Sequence, residues 1–316
     1  MCKVRIVLRW VGAVAVLAAS LFVGITIANA TVFSASAFVR DYLTTLAAGR
    51  VDEVMDLPGV EAAGLDERML DSRAIDGFTW ELVGDTEVRG VHHVTVEFSA
   101  HGAHGRATLS VTQVGSRFAV FPRWGFATSP VTSVSVATTG DTRLTVGRLP
   151  LEVADGGPVA FATLTPGVYT LSHESRFLAA GPVTIVADGT AASVDLAIEP
   201  RPAFVEAAND ALAAELKACA EQHVLFPTGC PFGYAIENRV VSEPEWTITR
   251  MPTARLVSTD EVGLWAVRGS QGVARLRVEV QSLFDGSIST LEQDVPFSIT
   301  ARVAFEGDAV LLTALS

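Results

Sequence analysis

The sequence predicts an α+β fold: an N-terminal transmembrane helix, an α+β domain, a small β-sandwich, and a C-terminal α+β domain with one disulfide. Three observations lead there. Behind Lys3, Arg5 and Arg9 the chain runs from Trp10 to Ala30 without a charge. Helical periodicity followed by strand-like alternation then occurs twice, beginning near Ser34 and again near Ala203. Between them lies a stretch of short alternating runs broken by glycine, with no helical period. The implied boundaries are 1–30, 31–128, 129–200 and 201–316.

The charge-free run spans roughly 30 Å as a helix, the thickness of a bilayer's hydrocarbon core, and basic residues ahead of it favour the cytoplasmic side. The expected reading is a cell-membrane signal anchor through residues 10–30, with the N-terminus cytoplasmic and the rest extracytoplasmic. Ala28, Asn29 and Ala30 also have the small-x-small form of a signal-peptide cleavage site, so secretion after cleavage is the alternative. Against cleavage, the run exceeds an ordinary signal-peptide core, and Ala35, Ala37 and Phe38 lead directly into an amphipathic helix. Cys2 precedes the span, where a lipoprotein anchor does not begin, and reads as a reduced thiol.

Hydrophobic residues make up 49% and charged residues 18% of the chain, a composition suited to packed cores. Beyond residue 30 there remain 20 basic residues against 35 acidic ones, a formal charge of −15. Such a surface disfavours nucleic acid and other polyanions unless a bridging cation or a local basic patch intervenes. No nucleic-acid partner is expected. Lysine occurs only at Lys3 and Lys217, and the preference for arginine, alanine, valine and glycine suits a GC-rich bacterial genome.

Phe38, Tyr42, Leu43 and Leu46 recur at helical spacing, with Ser34 or Ser36 available as cap and Gly49 as terminator. A short helix is expected from Val51 to Leu57, and further helical structure near Asp66 to Ser72. Alternation then places Phe78, Trp80 and Leu82 on one strand face. Three more strands are expected around Val91 to Phe98, Leu109 and Val111, and Phe118 to Phe121. From Ser129 to Pro202 the glycine-punctuated runs indicate the sandwich, and Pro166-Gly167 suggests a type II turn. The linker Pro200-Arg201-Pro202 precedes a helix from Ala203 to about Gln222. In that helix Asn209, Asp210, Glu215 and Lys217 are available for solvent. Strands follow near Ala235–Val241, Trp246–Met251, Glu261–Val267, Gly272–Leu283, Gly286–Val303 and Ala309–Leu315.

Apart from Cys2, only Cys219 and Cys230 carry thiols. An oxidising compartment and the turn residues Pro227 and Gly229 favour a disulfide between them. A loop of this length would add about 3 kcal/mol of stability in the chain-entropy model.

The segments Val39-Arg40-Asp41-Tyr42-Leu43, Leu46-Ala47-Ala48-Gly49-Arg50 and Val54-Met55-Asp56-Leu57, followed by strands ending at Trp124, resemble the NTF2-like (cystatin-like) domains of exported bacterial proteins. The resemblance implies a curved sheet around the first helix and a conical pocket that some relatives use for catalysis. There Asp41, Tyr42 and Asp56 would be the polar candidates, against the plainer reading of a core tyrosine and two surface aspartates. The run Leu164-Thr165-Pro166-Gly167-Val168-Tyr169-Thr170-Leu171 is similar to the PEGA-type surface module, which implies a spacer or wall-proximal role. The whole arrangement resembles the extracytoplasmic part of actinobacterial single-pass membrane proteins, and more distantly the teicoplanin-resistance-associated membrane protein family. Those relatives often begin with a cytoplasmic four-cysteine zinc ribbon, which this chain lacks.

Four of the six histidines fall between residues 92 and 104. Were that segment a hairpin bringing His92 or His93 beside His101 and His104, three imidazoles could hold Zn²⁺ or Cu²⁺. Adjacent His92 and His93 must point to opposite faces, and no carboxylate completes a fixed ligand set, so the expected metal is none. No G-x-S-x-G elbow, GxxxxGK[ST] or GxGxxG motif is present, and Arg268-Gly269-Ser270-Gln271-Gly272 reads as a turn. No cofactor is expected. Trp80, Trp124, Trp246 and Trp265 read as strand residues packed in cores, a glycan-stacking platform being the alternative. The sequence therefore favours a non-catalytic envelope protein that binds or spaces, its partners a lipid bilayer and either cell-wall polymer or another envelope protein. The alternative is a small-ligand binder or enzyme built on the first domain's pocket.

Overall fold

A computed structural model describes residues 2–306 and 309–313. The fold is α+β and mostly sheet, with four α-helices among the described residues: α1 (Cys2–Thr31), α2 (Ala35–Ala47), α3 (Val51–Met55) and α4 (Pro202–Ala220). In α1 the segment Ala13–Thr31 is long and apolar enough to cross a membrane, and none of it is buried in the fold.

Ser34 caps α2 by accepting the Ala37 amide at 3.1 Å, and Gly49 follows its end with φ +73°. Val39, Tyr42, Leu43 and Leu46 form the buried face of α2. That face meets a four-stranded antiparallel sheet in the order β1 (Thr79–Val88), β2 (Val91–Ala100), β3 (Ala103–Arg117), β4 (Phe121–Phe126). Register shifts between Leu82 and Gly84 and between Gln113 and Gly115 bend the strands. Val94, Val96, Phe98, Leu109, Val111 and Phe126 fill the space under the helix.

The strand expected at Phe118 to Phe121 begins only at Phe121, and residues 118–120 are a turn. Phe118 and Ala119 both have positive φ, and Phe118 is 89% exposed. Tight hairpins need two left-handed residues, and the twist of β3 and β4 outweighs the β-preference of phenylalanine there. The stretch expected to be helical near Asp66–Ser72 reduces to a single 3₁₀ turn, Glu67–Met69.

The sandwich consists of a five-stranded and a three-stranded sheet. The first follows the order β12 (Glu199–Pro200), β10 (Leu178–Ala187), β9 (Gly167–Glu174), β6 (Arg143–Val146), β7 (Leu149–Glu152). The second is β11 (Ala192–Ala197), β5 (Val131–Thr139), β8 (Val159–Leu164), with β11 parallel to β5. The type II turn expected at Pro166-Gly167 is absent: Thr165–Pro166 is cis, and Gly167 begins β9 without a positive φ. Glycine is required there for another reason, because a Cβ would stand 2.6 Å from the Leu164 carbonyl oxygen and 2.9 Å from the Tyr169 ring.

The C-terminal sheet is built on two long strands, β16 (Trp265–Gln281) and β17 (Ile288–Glu306). Beside them lie β13 (Arg239–Val240), β14 (Glu245–Arg250), β15 (Leu256–Ser258) and β18 (Ala309–Thr313). Arg268–Gly272, expected as a turn, lies inside β16. A register shift between Val267 and Ser270 absorbs the irregularity, so one bulged strand replaces two separate ones. Cys219, at the end of α4, is bonded to Cys230 with the sulfurs 2.02 Å apart.

The sandwich and the C-terminal module share one continuous hydrophobic core. Phe204 of α4 joins them, its ring 5.9 Å from Phe177, 4.7 Å from Phe305 and perpendicular to Trp265 at 5.7 Å. The first module is tied in as well. Its Tyr42 hydroxyl donates to the Thr165 carbonyl at 2.6 Å, and Leu164 and Val168 contribute to the core under α2.

Candidate functional site

The β2–β3 hairpin forms as expected, but its register separates the histidines. His104 is opposite Ser99, whereas His92 is opposite Val111 and His93 opposite Ser110. The pairs thus sit six or more residues apart along the ladder, about 20 Å or more at the strand rise. The metal candidates His92, His101 and His104 do not converge, and among the described residues no group of three metal-ligating side chains forms.

His92 takes a structural place instead. Its Nδ1 lies 2.9 Å from Asp85, its ring meets Trp124 edge-on at 5.0 Å, and Asp85 accepts the Ser36 hydroxyl at 2.6 Å. This network joins β1, β2 and β4 to the start of α2. His93, on the other face, lies 3.0 Å from the Ser110 hydroxyl.

The buried cluster under α2 is apolar, apart from the Tyr42 hydroxyl. Of the first module's candidate polar residues, Tyr42 is buried and its hydroxyl is committed to Thr165. Burial, with Tyr169 nearby, pushes that phenol's pKa well above its ordinary value. Asp41 and Asp56 lie on exposed surface. Trp246 and Trp265 are buried, and Trp80 and Trp124 half-buried, so these four form no exposed stacking platform.

A buried polar cluster that the sequence did not suggest surrounds His173. Its Nδ1 donates to the Arg143 carbonyl at 2.8 Å, and its Nε2 lies 3.2 Å from the Ser175 hydroxyl. The arrangement resembles a nucleophile beside a base, but Ser175 Oγ accepts the Leu178 amide at 3.0 Å and lies 3.1 Å from the Leu178 carbonyl. The serine is thus held as the cap of the β9–β10 turn. Beside it Asp141 is buried, which raises its pKa, but the side-chain and backbone bonds from Arg143 prevail and hold it below the ordinary carboxylate range.

The site best suited to a ligand lies along β16. β14 leaves the sheet after Arg250, opposite Val273, and β15 rejoins it at Leu256, opposite Val267. Between them the chain bows outward. Pro252 and Ala254 turn inward and are buried, which sends Met251, Thr253 and Arg255 to the outside. Asn209 of α4, expected to face solvent, fixes this loop by accepting the Ala254 amide at 2.7 Å. The result is a groove of about 540 Å³ lined by Arg250, Thr253, Arg255, Arg268 and Gln271, with Met251 and Val257 beside them.

No carboxylate lines the groove, and among the described residues none of the three guanidinium groups forms an ion pair. Fork-shaped donors beside hydroxyl and amide groups suit a phosphate or carboxylate. No motif points to this patch, because Arg250 and Arg255 flank one loop while Arg268 lies on a strand that only the interrupted ladder brings beside it. Comparison with protein-family models, curated proteins and solved structures returned no match.

Proposed function

We propose that the chain is a membrane-anchored, extracytoplasmic protein of the bacterial envelope with a non-catalytic binding role. The observation that carries this reading is the apolar segment Ala13–Thr31, none of whose residues is buried in the fold and of which only Ile25, Ala28 and Asn29, near its end, are partly covered. Nineteen such residues exposed to water would be an aggregation hazard, and a bilayer satisfies them. Lys3, Arg5 and Arg9 favour a cytoplasmic N-terminus, and the Cys219–Cys230 bond suits the oxidising side. The first module is read as NTF2-like and the middle one as PEGA-like, in an arrangement similar to actinobacterial relatives of the teicoplanin-resistance-associated family.

The ligand proposed for the arginine groove is an anionic polymer of the envelope. A single charge 4 Å from each guanidinium gains only about 1 kcal/mol in water, so one phosphate would bind weakly. A repeating polyanion gains by multiple engagement. The net negative charge of the ectodomain is screened beyond about 8 Å at physiological salt, so it does not forbid a local basic site.

The test begins with fractionation of cells expressing the full chain. Recovery in the membrane fraction, with the C-terminal region digested by protease added to intact spheroplasts, is expected. Recovery of full-length protein in the soluble cytosol would overturn the reading. For the groove, the probe is polyphosphate. Arg255→Glu with Arg268→Glu is expected to abolish salt-sensitive binding, and unchanged binding would remove the groove from the proposal.

A further inference from the structure

We propose that the tip of the β3–β4 hairpin is a second membrane contact, in which Phe118 enters the outer interface of the bilayer that α1 crosses. The inference rests on the anchored reading above and adds to it a docking surface on the first module.

Three ties place the hairpin against the outer end of α1. Trp124 Nε1 donates to the Phe33 carbonyl at 2.8 Å, the rings of Phe33 and Phe121 lie 4.5 Å apart, and Asn29 Nδ2 donates to the Val120 carbonyl at 2.9 Å. Read in order, they show a direction. As β4 is followed backward from 124 to 120, its partners move from residue 33 to residue 29, toward the middle of the span. The turn at Phe118 and Ala119 continues on that course. On α1, Ile25, Ala28 and Asn29 share one helical face and are partly covered, while Val23, Thr26 and Ile27 are exposed.

The hairpin also projects beyond its sheet. β2 begins at Val91, opposite Thr112, and past that point β3 continues through Arg117 with only β4 as a partner. Five residues at the strand rise carry the tip about 17 Å past the end of β2. What it carries there suits a lipid interface. Phe118 is 89% exposed, Val114 51% and Val120 41%. Arg117 and Arg123 flank the turn, and no carboxylate occurs between Glu97 and Asp141 in a chain that is otherwise acidic. An exposed aromatic side chain with arginines close by in the same hairpin suits headgroup depth.

The turn itself is a poor fit to its sequence. Phe118 at φ +50° and Ala119 at φ +60° occupy positions where asparagine and glycine are preferred. An exposed phenylalanine in that conformation gains nothing from the fold, and burial in the interface supplies the missing contact.

The experiment uses the full chain with Cys2→Ser, reconstituted into vesicles of phosphatidylcholine and phosphatidylglycerol. One cysteine at a time carries an environment-sensitive fluorophore: Phe118→Cys or Val114→Cys at the tip, Ile27→Cys in the span, and His104→Cys at the other end of the same sheet. The label at 118 is expected to show blue-shifted emission and to lose roughly half its intensity to lipid-borne nitroxide, as for a group ~5–10 Å below the headgroups. The label at 114 is expected to respond in the same direction, and the one at 104 to be quenched only by aqueous iodide. If 118 and 114 behave like 104 while 27 is quenched from the lipid, the anchor stands and the proposed contact is overturned. If 27 is also open to iodide, the anchored reading fails and the proposal falls with it.

Discussion

Phe204→Ala tests whether the sandwich and the C-terminal module are one folding unit. Phe204 is fully buried, and its ring contacts Phe177 of the sandwich and both Trp265 and Phe305 of the long hairpin. Truncating such a phenylalanine costs about 3–5 kcal/mol through lost burial and the cavity left behind, and the aromatic pairs place this site toward the upper half. Taking roughly 4 kcal/mol, the melting temperature of a unit of this size is expected to fall by about 10 °C. The discriminating measurement is amide hydrogen exchange by mass spectrometry. Amides of β8, β9, β16 and β17 that exchange only through global opening are expected to exchange about 10³-fold faster together, since each 1.4 kcal/mol is tenfold. Acceleration confined to α4, β16 and β17, with β8 and β9 unchanged, would refute the shared core and show that the sandwich folds alone.

Cys219→Ser is expected to destabilise the same unit by about 3 kcal/mol and to lower its melting temperature by several degrees, as followed by calorimetry. Mass spectrometry without reductant should find Cys219 joined to Cys230 in protein exported by its host, and two alkylatable thiols would contradict this. Gly140→Ala is expected to destabilise by about 2 kcal/mol or more in chemical denaturation, because φ is +89° and a Cβ would stand 2.4 Å from the Ile198 carbonyl oxygen and 3.0 Å from the Trp265 ring. Tyr42 and Tyr169 are buried and their pKa values raised, chiefly by that burial. A raised phenol pKa stabilises the fold fully below the unfolded value of about 10 and loses that contribution as pH rises further. In a spectrophotometric titration, these two of the three tyrosines are expected to ionise only as the protein unfolds in alkali. Their ionisation in the folded state would contradict the burial.

The charge-free segment, the alternation of helix and sheet, the capped helix at Ser34 and the Cys219–Cys230 pair were all legible in the sequence. Each depends on local spacing or on the choice of compartment, which a linear pattern carries. What the pattern could not carry was register. Four histidines within thirteen residues look like a site, yet a hairpin ladder sets His92 opposite Val111 and His104 opposite Ser99, and the cluster separates. Register worked the other way at the groove, where a gap between β14 and β15 gathers Arg250, Arg255 and Arg268 from segments with no shared motif. Local patterning also misjudged Phe118 and Arg268–Gly272, because hairpin twist and long-strand pairing outweigh the preferences of single residues. The sharing of cores lay furthest from the sequence: Phe204, Ala208, Leu212 and Leu216 recur at helical spacing on one face of α4, but only the tertiary structure shows that what Phe204 is buried against belongs to two modules at once.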